Sequence, residues 1–183
     1  MADSKDVSIE IGPRETPLTP YLRDDLKGEN PLYIDWHRGA LIQHISEDEK
    51  GTAIHGDALQ MPIKNGSVGN VIIANVFGQH GIPNLFRGDS IMDSPQVDIS
   101  GIVGEISRVV PVGGKAVVFE TSTPPDKEKL IDIFQKEGMV VEENYDKGQL
   151  GKIFGNDPIQ ASFGKTFDRL ATAFGYALVF KKA

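Results

Sequence analysis

Several residues able to bind a ligand fall where apolar runs of the chain stop: Glu10, Gly12, Asp35, Trp36, Asp57, Ala58 and Asn75. Asp35 can accept two hydrogen bonds from the hydroxyls of a ribose, the task of the acid after the second strand in dinucleotide folds. Trp36 beside it offers a flat apolar surface to a purine. Asp57 can accept from an exocyclic amine while the Ala58 N–H donates to a ring nitrogen. Gly12, without a Cβ, lets the backbone approach a ligand and turn sharply; Glu10 shares its strand end. Thr16 before Pro17 has the pattern of an N-cap and a helix-opening proline, whose unpaired N–H groups can receive an anionic part. Asn75 can orient cofactor or acceptor, or merely cap the exit of its strand. Taken singly, ordinary roles compete, since an Asp at a strand end is often a turn former and a lone Trp is more often core. The order of these residues along the chain is what combines them into one crevice.

Other chemistries are poorly served. The chain has no Cys, which excludes thiol nucleophiles, disulfides and cysteine metal sites. None of its four His forms an HExxH pair, and the spacing of His37 and His44 is a poor metal signal. His80, in the run FGQHGIPNLF, sits near the expected acceptor side but reads better as a surface or loop-stabilising residue. His55 lies within a strand and reads as structural. No catalytic base is identified, and no metal ligands.

The elements that must position these residues are short β-branched runs separated by helical or glycine-rich segments. Strands are expected at Val7–Gly12, Pro31–Asp35, Thr52–Asp57, Asn70–Asn75, Lys115–Thr121, Met139–Tyr145 and Tyr176–Lys181. The central runs NVIIAN and KAVVFET are continuous rather than alternating, as in a parallel sheet buried on both faces. Ile99, Ile102, Val103, Ile106, Val109 and Val110 recur at helical spacing, as do Leu130, Ile133 and Phe134 in the next connection. Phe163, Phe167, Leu170, Ala171 and Phe174 mark a late amphipathic helix. Gly113 and Gly114 end the first helical segment and turn the chain into KAVVFET. Strand, crossover helix and parallel strand form a right-handed unit, and its repetition gives a doubly wound α/β sheet. Residues 77–97 and 146–162 lack clear periodicity and read as long loops. Phe77, His80, Phe86, Phe154 and Phe163 could line a pocket there or simply anchor core and loops.

Composition narrows the class. A chain of 183 residues suits one domain spanning 1–183, with 39% hydrophobic and 25% charged residues. With 19 basic and 26 acidic residues the net charge is −7, and no dense basic run is present, which disfavours nucleic acid. The start MADSKDVSIE has no apolar signal core, and no run approaches a membrane span. A cytoplasmic location, without membrane, is the corresponding expectation.

The stretches GDALQMPIKNGSVGNVIIANVF and GEISRVVPVGGKAVVFET, following the glycine turn and the acid of strand two, resemble the class I S-adenosylmethionine-dependent methyltransferases, most of all their type 11 small-molecule branch. The resemblance covers roughly Val7–Val141 plus the final strand. It implies a Rossmann-like, mostly parallel seven-stranded sheet with an antiparallel last strand. It also implies S-adenosylmethionine as cofactor, the methionine part at the first segment, ribose at Asp35 and adenine at Asp57. Met61-Pro62, Ser67-Val68-Gly69 and Val110–Gly114 match the family's later motifs. The chain departs at GPRET, where Arg14 and Thr16 replace later glycines of the family's GxGxG loop, and at Gly69, where the family has an acid. Only six residues precede strand one, so the N-terminal helical cap of many relatives is expected to be missing.

The function implied is methyl transfer from S-adenosylmethionine to a small or carrier-bound acceptor, with a second copy or a protein partner supplying a lid. The alternative is a methyltransferase-like domain without catalysis that binds or scaffolds a partner. A nicotinamide-dependent dehydrogenase is a poorer match, because the first loop lacks GxGxxG spacing.

Overall fold

The computed structural model describes residues 7–12, 17–35, 51–74, 76–77, 98–120, 127–154 and 175–183. Seven strands form one sheet: β1 (Val7–Ile11), β2 (Asn30–Asp35), β3 (Thr52–His55), β4 (Asn70–Ala74), β5 (Lys115–Glu120), β6 (Met139–Asp146) and β7 (Tyr176–Lys182). Their order is β3-β2-β1-β4-β5-β7-β6. The first five are parallel, while β7 runs antiparallel to both β5 and β6. Every expected strand is present, with ends shifted by one or two residues.

Two apolar layers explain why the central strands read as unbroken hydrophobic runs. On one face, Ile9, Ile11, Val71, Ile73, Ala116, Val118, Leu178 and Phe180 meet α1 (Ile99–Val109) and α2 (Lys127–Lys136). The helices contribute Ile102, Val103, Ile106 and Val109, then Leu130 and Phe134, the expected apolar faces. The Asp98 carboxylate caps α1 by accepting from Gly101 N–H at 2.8 Å. At its far end the turn into β5 needs Gly113 at φ +83°.

The other face departs from the expectation. Ile72, Ala74, Val117, Phe119, Ala177 and Val179 are covered by Leu18, Leu22, Leu26, Leu150, Ile153 and Phe154. Among the described residues no α-helix lies between Gly12 and β2; Leu18 and Leu22 flank a single 3-10 turn (Thr19–Tyr21), and Leu26 follows it. Pro20 in that turn has no N–H to donate, which weakens a helix there. Within the supposed loop after β6, Lys147–Ile153 forms a second 3-10 segment opened by Asp146 and Gln149. Its Leu150 and Ile153 and the following Phe154 are core, and the Phe154 ring stacks on Phe119 at 5.7 Å. Phe154 is therefore an anchor of the core, one of the two roles left open for it.

A β-bulge at Val141–Glu143 turns the second half of β6 over. Glu143 and Tyr145 then meet Arg23, whose guanidinium bonds Glu143 at 2.8 and 3.0 Å and Tyr145 at 3.0 Å. Asp25 joins Arg23 to Lys115, which also pairs with Glu142. The Arg23 hydrogen bond holds Glu143 below its ordinary value of 4.5. Burial pushes Asp25 up, but hydrogen bonds from Arg23 and Lys115 together leave it below its ordinary 3.8. Depressed carboxylates bind fewer protons in the folded than in the unfolded chain. Their stabilisation is complete above those ordinary values and is lost as pH falls through the depressed ones. Urea midpoints are expected to decline below about pH 5. An Arg23→Gln chain should show a shallower decline; an unchanged slope would remove this cluster as its cause.

Candidate functional site

The carboxyl ends of the parallel strands bring three of the expected regions side by side. Gly12 continues the β1–β2 ladder, donating its N–H to Ile34 O at 2.9 Å. Asp35 pairs in register with His55, and Gly56 N–H donates to Asp35 O at 3.2 Å. Gly12, Asp35 and the Gly56-Asp57-Ala58 step thus occupy consecutive strand exits. Gly12 has φ +67°, and a Cβ there would lie 3.2 Å from Val76 Cγ2 at the exit of β4. A side chain at Gly12 would press on Val76, and its positive φ is one that glycine adopts without strain.

Asp35 is 8% exposed at the end of β2, with its neighbour Ile34 held in the core. Asp57 is exposed and ordered by a turn: its Oδ1 accepts from Leu59 N–H at 2.9 Å, and its carbonyl from Gln60 N–H at 3.0 Å. Ala58 beside it is buried. The following loop is fastened to α1 by a bidentate pair, Arg108 with Glu105, at 2.8 Å through both oxygens. Arg108 also donates to Ile63 O, Met61 O and Asn65 Oδ1, while Glu105 accepts from Met61 N–H. The Arg108 hydrogen bond keeps the Glu105 carboxyl below its usual range, against burial. This clamp fixes the chain that presents Asp57 and Ala58.

Glu10 is held differently. It is fully buried, and its carboxylate accepts from Leu18 N–H at 2.8 and 2.9 Å, Thr19 N–H at 2.9 Å and Thr19 Oγ1 at 2.8 Å. The N–H groups expected to receive a ligand's anionic part are thereby committed to the protein's own acid. Trp36 and Asn75 lie outside the described residues, as do Arg14, Thr16, His37, His44, His80, Phe86 and the helix expected at 163–174.

Two residues at this edge were not singled out from the sequence. Leu59, 42% exposed beside Asp57, packs over Gly101, where a Cβ would fall 2.7 Å from Leu59 Cδ2. Glu120 ends β5 fully buried, and Phe77 N–H donates to its Oε1 at 2.8 Å. An acid closing an otherwise apolar run was the available signal. Among the described residues no cluster of three His, Asp or Glu is placed to hold a metal ion. No helix among them is long and apolar enough to cross a membrane.

No family model matches the sequence, and no curated protein matches it. Many solved structures share its fold. An S-adenosylmethionine-dependent methyltransferase from Mesorhizobium loti superposes with TM-score 0.62 at 8% identity, over 100% of this chain and 94% of that one. The complex of the Haloferax volcanii Trm112 methyltransferase activator with a protein described as a methyltransferase gives TM-score 0.65 at 14% identity, covering 97% and 82%. The [4+2]-cyclase SpnF gives 0.60 at 14% identity, covering 99% and 76%. With its strand order and antiparallel β7, the chain has the Rossmann-like methyltransferase fold that its motifs resemble. The cyclase shows that this fold does not by itself specify the reaction.

Proposed function

We propose that the chain, a single domain, binds S-adenosylmethionine and transfers its methyl group to a small or carrier-bound acceptor. The row of Gly12, Asp35 and Asp57-Ala58 at adjacent strand exits carries this reading. The residues fit the adenosine half: Asp35 supplies acceptors for ribose hydroxyls, Asp57 an acceptor for an exocyclic amine, and Ala58 space and an N–H. Gly12 fits the remainder, because its missing side chain leaves backbone accessible where β1 and β4 separate. When bound, the cofactor supplies an electrophilic methyl on sulfur. The chain's share is then to hold the acceptor in line and exclude water, which needs no dedicated base. Trp36 beside the purine, and Asn75 toward cofactor or acceptor, belong to the same proposal, as does a cytoplasmic location.

Calorimetric titration with S-adenosylhomocysteine tests it. Micromolar binding is expected, weakened by Asp35→Ala on the order of 10- to 100-fold, the loss of hydrogen bonds to a charged group. No heat up to about millimolar ligand would overturn the reading.

The second reading, a partner-binding domain without turnover, is favoured by one observation. Glu10 already occupies the Leu18 and Thr19 amides, so less of the first segment remains for the cofactor's amino-acid end. The match to a chain from an activator complex supports a protein partner as the source of a lid. Under this reading S-adenosylhomocysteine binds weakly or not at all, and the chain captures its partner regardless of ligand.

A further inference from the structure

We infer that Glu120 is a positioning residue that sets the width of the crevice between the β1 and β4 exits. This rests on the cofactor reading above. The parallel strands β1, β4 and β5 are neighbours, so whatever fixes the chain leaving β4 also fixes the far wall of the space above Gly12. That chain is Val76-Phe77. Val76 is buried and provides the methyl nearest Gly12, 3.2 Å from where a Cβ would stand. Phe77 N–H, the next backbone donor, points to the β5 side and donates to Glu120 Oε1 at 2.8 Å.

The anchor is itself immobilised. Glu120 is fully buried at the last position of β5, in register with Tyr176 of β7. Its carbonyl accepts from Gly175 N–H at 2.7 Å, binding the exit of β5 to the entry of β7. Gly12, Val76, Phe77, Glu120 and Gly175 therefore link four strand ends across the middle of the sheet. A polar side chain is costly to bury unless it is hydrogen-bonded, and Glu120 Oε1 has Phe77 N–H as a partner. A neutral apolar side chain would fill the same core position without holding Phe77. The acid is explained by what it does to the backbone: it draws Phe77 toward β5 and seats Val76 opposite Gly12. The β2 and β3 exits, which carry Asp35 and Asp57, lie on the other side of β1 and are not reached by this linkage. Glu120 should govern the part of a ligand above Gly12 and leave the adenosine half alone.

That division gives the test: dissociation constants of S-adenosylhomocysteine and of adenosine, each measured for the native chain, Glu120→Ala and Glu120→Gln. Alanine is expected to weaken S-adenosylhomocysteine about tenfold. Glutamine keeps an oxygen acceptor for Phe77 N–H, and a smaller loss of at most about threefold is expected. Adenosine binding should stay within about twofold in both. A merely structural role would weaken both ligands alike; that result, or no change for either, overturns the inference. If Glu120→Ala does not fold, the glutamine chain decides by the same comparison. If the native chain binds adenosine and S-adenosylhomocysteine not at all, the cofactor reading falls and this inference falls with it. If the native chain binds both and the variants match it, only the role of Glu120 is lost.

Discussion

Glu10→Ala is expected to lower the stability of the folded chain by about 3–5 kcal/mol, the scale of leaving several buried neutral donors without their acceptor. The carboxylate is fully buried and serves Leu18 N–H, Thr19 N–H and Thr19 Oγ1 at once. Alanine leaves those donors without an acceptor in a place water does not reach, each costing about 1–3 kcal/mol before relaxation. The loss spreads beyond the contact. Leu18, Leu22 and Leu26 cover Ile72, Ala74 and Val117, and Glu10 holds the turn that delivers them. In a domain stable by about 5–15 kcal/mol this is a large share. The melting temperature should fall on the order of 10 °C. Urea unfolding of the native chain, Glu10→Gln and Glu10→Ala measures it, with glutamine intermediate because one acceptor survives. A loss below about 1 kcal/mol for alanine would show that the carboxylate is replaceable there. Glu10 would then be open again to the role of ligand contact that the sequence suggested.

Glu10 also shows why the sequence was legible in some places and not in others. β4 and β5 were readable because burial on both faces leaves one unbroken apolar run, NVIIA and KAVVF, with no competing pattern. The helices α1 and α2 were readable because each has a one-sided apolar face. The segment after β1 was not. Thr16-Pro17 resembles a helix start, yet what forms is a 3-10 turn organised by an acid eight and nine residues upstream. A contact of that range has no period and leaves no mark in a sliding window. The same holds for residues 147–154, whose Leu150, Ile153 and Phe154 find their partners on β4, β5 and β7 rather than along their own segment. At the site, Asp35 and Asp57 could be proposed from order alone, because each follows a recognisable strand. Glu120 leaves a weaker mark, an acid closing an apolar run, and only its burial and its bond to Phe77 separate it from an acid that merely ends a strand.

Phe134→Ala is the other large effect expected, about 3–5 kcal/mol of stability. Phe134 is fully buried on α2, stacked on Phe180 with ring centroids 4.0 Å apart and planes 8° from parallel. It also meets Phe77 edge to face, at 6.5 Å and 76°. Truncation removes the ring contact with β7, the ring contact with the β4 exit and the volume that keeps α2 against the sheet. Little can collapse into the gap, because Leu130, Met139 and Phe180 around it are already fully buried on fixed elements. Urea unfolding should show a lower midpoint with an unchanged slope, since the same surface is exposed on unfolding. The consequence for the site should be the opposite of that for Glu120. Phe134 touches the ring of Phe77, whereas Glu120 holds its N–H, and it is the backbone that seats Val76 opposite Gly12. S-adenosylhomocysteine affinity is therefore expected to stay within about twofold in the folded Phe134→Ala chain. A tenfold loss there would mean that packing of the ring, not the hydrogen bond to Glu120, sets the crevice.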